Sequence, residues 1–175
     1  LDALLGFARV VEAVNQIGLA QGAEGRATVG MANIFPNSRN VVPGRVFFSV
    51  EFRHPDEAVL AVQDQQLHAA VARIAEGIGL QASVKQIFQY APIAFDKDCV
   101  DVVQVAAEAL GYSHRRMISG AGHDACYLNQ VAPTAMIFVP CVDGLSHNEA
   151  EEIHPHWSTA GADVLLQAIL ASSGE

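Results

Sequence analysis

The stretch "RVFFSVEFRHPDEAVLAVQDQQLHAAVARIAEGIG", residues 45–79, decides the fold because its hydrophobic period changes partway along. Its first nine residues alternate, and their apolar face comprises Val46, Phe48, Val50 and Phe52. This alternation predicts a half-buried strand that ends at Arg53. From Pro55 onward, acidic residues follow the proline, apolar residues recur at helical spacing, and a glycine ends the segment. These features predict a helix.

The segments on either side extend this pattern into an α+β unit. Residues 2–20 predict a further helix. Its expected buried face comprises Leu5, Ala8, Val11 and Asn15. Residues 27–36 and 80–90 each predict a strand, and Pro43-Gly44 predicts a turn. The α-β-β-α-β order is that of a two-helix, four-stranded α+β unit that lacks its first strand.

The pattern changes from Ala91 onward. Helices are predicted at residues 97–110, 123–130 and 157–173. Strands are expected at "RRMISG" (115–120) and at the apolar run "TAMIFVP" (134–140), which suits a strand buried on both faces of a sheet. This order is typical of the end of an α/β domain. We therefore predict two domains, residues 1–91 and 92–175.

Composition excludes several classes of function. Ten Lys and Arg against nineteen Asp and Glu give a net charge of −9, which argues against nucleic-acid or anionic-membrane partners. No apolar run is long enough to span a membrane. The three cysteines, Cys99, Cys126 and Cys141, show no CxxC spacing. We interpret them as free thiols, which favours a reducing compartment such as the cytoplasm.

Three histidines near the C-terminus are candidate metal ligands. His147 follows the run 134–140, and open α/β sheets bind ligands in the loops after buried strands. It is either a metal ligand or an exposed hydrogen-bonding histidine. His154 and His156 could form a second site with Glu149 or Glu152, but a polar first turn of the last helix explains them without a metal, and we interpret them as surface residues.

Two further groups of residues are candidates for substrate binding. "SGAGHDA" (119–125) contains the residue types of a hydrolytic triad, but adjacent His123 and Asp124 diverge on a helix start. A glycine-rich turn that binds an anion or a carbonyl oxygen is one alternative, and a plain turn is the other. Asn40 and Arg53 could face one ligand if the strand leads back beside the turn, with Arg53 gripping a carboxylate. Otherwise they are a turn-forming Asn and a surface Arg.

Three segments together resemble a known family: "FPNSRNVVPGRVFFSVEFRHPD" (35–56), "SGAGHDA" and "TAMIFVPCVDGLSHNEAE" (134–151). They are similar to the C-terminal half of the amidase branch of the M20 metallopeptidases, which contains N-carbamoyl-L-amino acid hydrolases, allantoate amidohydrolases and β-ureidopropionases. The resemblance implies that residues 1–91 are most of a lid or dimerisation domain. Residues 92–175 would be the last part of an α/β di-metal catalytic domain. A lid without its first strand has an unpaired edge, which favours a homodimer.

The same resemblance implies roles for individual residues. His147 matches a metal ligand, and Asn40 and Arg53 match lid residues that bind the substrate, Arg53 its carboxylate. The turn at Gly120, Ala121, Gly122 and His123 matches a segment that borders the substrate. The other metal ligands and the catalytic glutamate are expected upstream of Leu1, so no catalytic residue is expected in this chain.

The chemistry implied for the intact enzyme is hydrolysis of a small ureido acid. Two divalent ions, of zinc, manganese, cobalt or nickel, would activate a bridging water. This chain alone is expected to bind no catalytic metal and to hydrolyse nothing, because a catalytic zinc needs at least three protein ligands. The alternatives are an M20 aminoacylase or peptidase, and a non-catalytic dimerisation module.

Overall fold

A computed structural model describes residues 1–173 and divides the chain into two compact units, Leu1–Pro92 and Ile93–Glu175. The first unit contains helix α1 (Ala3–Leu19), strands β1 (Arg26–Phe35) and β2 (Arg45–Arg53), and helix α2 (Glu57–Ile78). The second contains helices α3 (Lys97–Ala109), α4 (Ala125–Leu128) and α5 (Pro155–Ser173), with a 3-10 turn at Val142–Gly144. The chain is thus a mixed α/β protein with a small sheet.

Strands β1 and β2 are both predicted from the sequence, and in the structure they form an antiparallel hairpin. Arg26 lies opposite Arg53 at the open end, and Phe35 lies opposite Arg45 at the end closed by the loop 36–44. The register shifts between Thr28 and Met31, where Gly30 sits in a bulge. The predicted apolar face of β2 is confirmed, because three of its side chains pack against the core: Phe48, Val50 and Phe52.

Helices α1 and α2 pack against that apolar face of the hairpin. The core that they share consists of Val10, Val14, Leu67, Val71 and Ile74. The predicted glycine stop of α2 is confirmed, since Gly79 ends the helix with a φ of 82°. Pro55 lies before the helix and not in its first turn, because Asp56 is the N-cap and its carboxylate accepts the Ala58 N–H at 2.8 Å. An L-residue at Gly79 would be strained in this left-handed conformation.

The predicted buried face of α1 is wrong. Its buried residues are Gly6, Val10, Val14 and Gly18, whereas Leu5 is 42% exposed. The observed face is spaced by four residues and has glycine at both ends. A Cβ on Gly18 would lie 2.5 Å from the Cβ of Ala27, so the absence of a side chain lets α1 approach β1 closely. The prediction rested on helical spacing from Leu5, whereas the packing depends on the close backbone approach that the two glycines permit.

The strands predicted at residues 80–90, 115–120 and 134–140 are also wrong, since no ladder forms in these segments. Alternation specifies which side chains face a core, but a strand also needs a hydrogen-bonding neighbour. In residues 80–90, Val84 packs against the core while Ile87 is 83% exposed. In residues 134–140, Phe138 is 47% exposed, so this run is not buried on both faces. Within residues 1–173, β1 and β2 form the one sheet.

The core of the second unit lies between α3 and α5. Its buried residues are small: Ala106, Ala107, Val164 and Ala168. The Tyr112 hydroxyl donates to the Asp163 carboxylate at 2.8 Å, which ties the segment after α3 to α5. The Asp96 N–H donates to the Thr134 carbonyl at 3.1 Å and holds the apolar run near the start of α3. No helix among residues 1–173 is long and apolar enough to cross a membrane.

Candidate functional site

His147 lies in a loop whose two ends are held together. The Val142 N–H donates to the Glu152 carbonyl at 2.8 Å and closes the loop at its neck. His147 is exposed and has a φ of 56°, in the left-handed region that few non-glycine residues occupy. The backbone therefore turns sharply at the residue that the sequence analysis singles out as a metal ligand.

Glu151 is the residue of this loop that sequence reasoning missed. Its Oε2 accepts the His147 backbone N–H at 2.9 Å, and its Oε1 accepts from the Cys141 Sγ at 3.7 Å. The pKa of the Cys141 thiol is raised, because burial disfavours the thiolate and the Glu151 carboxylate adds negative charge beside it. The available signal was its position four residues after His147, at the end of the quoted "SHNEAE" run.

The later histidines form an aromatic group around Trp157. The rings of His154 and His156 are stacked with centroids 5.6 Å apart, and the His154 ring lies 4.4 Å from that of Trp157. Across residues 1–173, no three His, Cys, Asp or Glu side chains are grouped so that they could hold a metal ion. The alternative of a local metal site with Glu149 or Glu152 is therefore not formed among these residues, and the interpretation of His154 and His156 as surface residues stands. The loop offers one imidazole, that of His147.

The turn at residues 119–125 is held by its own side chains. The Ser119 hydroxyl donates to the Ala121 carbonyl at 2.8 Å, and His123 Nδ1 accepts the Ala125 N–H at 3.0 Å. That ring nitrogen is occupied by the backbone, which agrees with the rejection of a Ser-His-Asp triad. Gly120, Ala121, Gly122 and His123 are all exposed to solvent.

Asn40 and Arg53 lie towards opposite ends of the hairpin. Asn40 is in the closing loop, where its Oδ1 accepts from Ser38 at 2.9 Å. Arg53 is at the open end of β2 and forms an ion pair with Glu51 at 2.7 Å. The eight residue steps from Arg45 to Arg53 span roughly 26 Å in a strand. The strand leads away from the loop, so the condition under which both residues face one ligand is not met within one chain.

The comparisons with known proteins identify the class. The family model for peptidase family M20/M25/M40 matches residues 5–171. The chain therefore belongs to this peptidase family, and the resemblance drawn from its three sequence segments is confirmed.

Three of the similar proteins are named as amidohydrolases or amidases. The N-carbamoyl-L-amino-acid amidohydrolase of Rhizobium meliloti is 44% identical over 173 residues, which is 99% of this chain and 42% of that protein. The allantoate amidohydrolase of Escherichia coli is 33% identical over 150 residues, covering 86% of this chain and 36% of that protein. The crystal structure of a hydantoinase/carbamoylase family amidase from Burkholderia multivorans has a TM-score of 0.93, is 62% identical, and matches 99% of this chain and 42% of that chain. The chain thus spans less than half the length of these relatives.

Proposed function

We propose that the chain is the C-terminal part of a metal-dependent amidohydrolase that cleaves the carbamoyl C–N bond of N-carbamoyl amino acids or allantoate. The observation that carries this proposal is the identity of 44% to the Rhizobium meliloti amidohydrolase across 99% of the chain. The chain's three candidate site segments all fall within residues 5–171, which the family model matches.

His147 is the metal ligand in this proposal. An exposed imidazole is a suitable nitrogen donor for zinc, manganese, cobalt or nickel ions. One imidazole cannot hold a catalytic ion, so the other ligands and the general base belong to the rest of a longer protein. Bound ions would supply an activated water at neutral pH.

Arg53 binds the substrate carboxylate in this proposal, because a guanidinium can donate two parallel hydrogen bonds to a carboxylate. Its present ion pair with Glu51 joins two exposed side chains, and such surface pairs are weak. A substrate can therefore replace Glu51 at little cost. The exposed turn at Gly120–His123 borders the substrate, and its backbone is accessible to a carbonyl oxygen.

The positions of Asn40 and Arg53 support a homodimer. Because β2 leads from the closing loop that holds Asn40 to Arg53 at the open end of the hairpin, a substrate held by both would take Arg53 from one protomer and Asn40 from a second copy. Pairing through the first unit is the proposed arrangement, because an exposed strand edge can pair with another chain. A strictly monomeric mass in light scattering of the longer protein would contradict it.

A chimera tests the proposed function. This chain would replace the 173 matched residues of the Rhizobium meliloti amidohydrolase, and ammonia release from N-carbamoyl-L-amino acids and allantoate would be measured. We expect activity in the chimera and none in the 175-residue chain alone. His147→Ala should lower the activity by more than about a hundredfold, since even residues that only support a metal ligand account for 10–100-fold.

Matched variants and substrates define the contrary outcomes. His154→Ala alters a histidine that has no proposed role and should leave the activity unchanged. Equal activity in the His147→Ala chimera would contradict the ligand assignment. Cleavage of N-acyl amino acids or dipeptides, with no turnover of ureido acids, would favour an aminoacylase or peptidase instead. A folded, metal-loaded chimera without any of these activities would favour a non-catalytic dimerisation module.

A further inference from the structure

The Glu151 carboxylate uses both of its oxygens within the His147 loop. One oxygen accepts from the Cys141 thiol at the neck of the loop, and the other accepts the backbone N–H of His147. The Glu151 N–H in turn donates to the Asn148 carbonyl at 3.0 Å. A single side chain therefore links the fixed end of the loop to His147.

The conformation of His147 needs such support. A φ of 56° places a residue with a Cβ in a region that is unfavourable for most side chains, and such residues persist when surrounding contacts hold them. The Glu151–His147 contact is a charge-assisted hydrogen bond, which is among the stronger kinds. It acts on the backbone, so it leaves both ring nitrogens of His147 available to a ligand.

We propose that Glu151 is a positioning residue that holds the His147 backbone in its left-handed conformation and thereby orients the imidazole. The inference rests on the proposed function only in taking His147 as a metal ligand. Glu151 touches neither substrate nor metal in this role. The neighbouring loop acid Glu149 is also exposed and is held by none of these contacts, which makes it a matched control.

Amide hydrogen exchange measured by NMR on the 175-residue chain tests the proposal. Glu151→Ala should speed exchange of the His147 amide roughly tenfold or more, since hydrogen bonds to charged groups are worth that factor. Exchange in α3 and α5 should not change. Glu149→Ala should leave the His147 amide as it is. Glu151→Gln should keep most of the protection, because its amide oxygen can still accept the His147 N–H.

Three results would overturn the proposal. Unchanged His147 exchange in Glu151→Ala would show that the carboxylate does not hold the backbone. Faster exchange throughout α3 and α5, or loss of folding, would assign Glu151 a general stabilising role instead. A loss of protection in Glu151→Gln as large as in Glu151→Ala would show that an acceptor at this position is not sufficient. The exchange measurement needs no metal or substrate. Its result therefore remains valid even if the chimera proves inactive and the proposed function fails.

Discussion

The two units of the chain differ in where their strands find partners. In the first unit, β1 and β2 are joined by the loop 36–44 and pair with each other. In the second unit, the apolar run 134–140 has no neighbouring strand among the described residues and packs against helices instead. The first unit therefore has a sheet with a core of large side chains, and the second has a core of small ones. The two units therefore differ in whether a predicted strand has a neighbouring strand to pair with, and not only in how hydrophobic their segments are.

The largest effect is expected from Leu67→Ala, which truncates a core residue of the first unit that is 6% exposed. It should lower the free energy of unfolding of that unit by about 2–5 kcal/mol, because the hairpin and α1 cannot collapse fully into the cavity. The chain's single tryptophan, Trp157, lies in the second unit. In urea unfolding, Trp157 fluorescence therefore follows the second unit, whereas circular dichroism follows the helices of both units. A transition that appears in circular dichroism but not in fluorescence belongs to the first unit.

We expect Leu67→Ala to shift the circular dichroism transition while the fluorescence transition stays in place. Val164→Ala, in the core of the second unit, is the matched control and should shift the fluorescence transition. Equal shifts of both signals in each variant would show that the two units unfold together, and the contrast between them would then not extend to stability.

The second prediction compares two helical glycines, each of which packs closely against a residue outside its own helix. A Cβ on Gly18 would lie 2.5 Å from the Ala27 Cβ, and one on Gly161 would lie 2.6 Å from the Val139 Cγ1. Alanine gains a similar helix propensity at both sites, roughly 0.5–1 kcal/mol. Any difference between the two variants therefore reports packing.

Gly18→Ala should destabilise by about 1–3 kcal/mol, because the Ala27 Cβ is attached directly to a strand backbone. Gly161→Ala should be close to neutral, since Val139 lies outside a strand and its methyl group can move. The midpoints of urea unfolding measure both. A larger loss in Gly161→Ala than in Gly18→Ala would mean that the segment containing Val139 is as rigid as the hairpin.

The sequence predicts those features of the fold that depend on nearby residues and misses those that depend on distant ones. The two strands of the hairpin, the glycine stop of α2 and the positions of α3 and α5 are all set by neighbours within a few residues, and they are predicted. The strand at residues 80–90 is not, because its pattern carries no information about which chain segment would lie beside it. The buried face of α1 is missed for another reason: Gly6 and Gly18 act through their lack of a side chain.

The same contrast between nearby and distant residues applies to the candidate site. His147 stands out in the sequence because it follows an apolar run and is surrounded by small polar residues. Glu151 does not, because its role depends on the loop bringing residues 141 and 151 together, which their ten-residue separation does not reveal. The separation of Asn40 from Arg53 likewise depends on the direction of β2, and this is known only once the hairpin register is known.

The third prediction concerns Gln63, which is fully buried on α2; among residues 1–173, neither of its side-chain amide atoms has a hydrogen-bond partner. Gln63→Leu should raise the free energy of unfolding of the first unit by about 1–2 kcal/mol, because it removes a buried unpaired polar group. Gln66→Leu changes an exposed residue of the same helix and should give no such gain. Destabilisation by Gln63→Leu, measured by urea unfolding, would indicate that the amide has a partner in solution, such as a water molecule.

The smallest effect is expected in the second unit, where Tyr112 donates to Asp163. This hydrogen bond and the adjacent negative charge raise the pKa of Tyr112 above its ordinary value of 10.0. A raised pKa in the folded state stabilises the protein fully below the unfolded value, and that contribution is lost as the pH rises through the folded value. The Trp157-detected unfolding midpoint should therefore fall above about pH 10, and fall less in Tyr112→Phe. Asp163→Asn removes the charge that raises the pKa and should also flatten the decline. An equally steep decline in all three proteins would mean that this hydrogen bond does not stabilise the contact between α5 and the segment after α3.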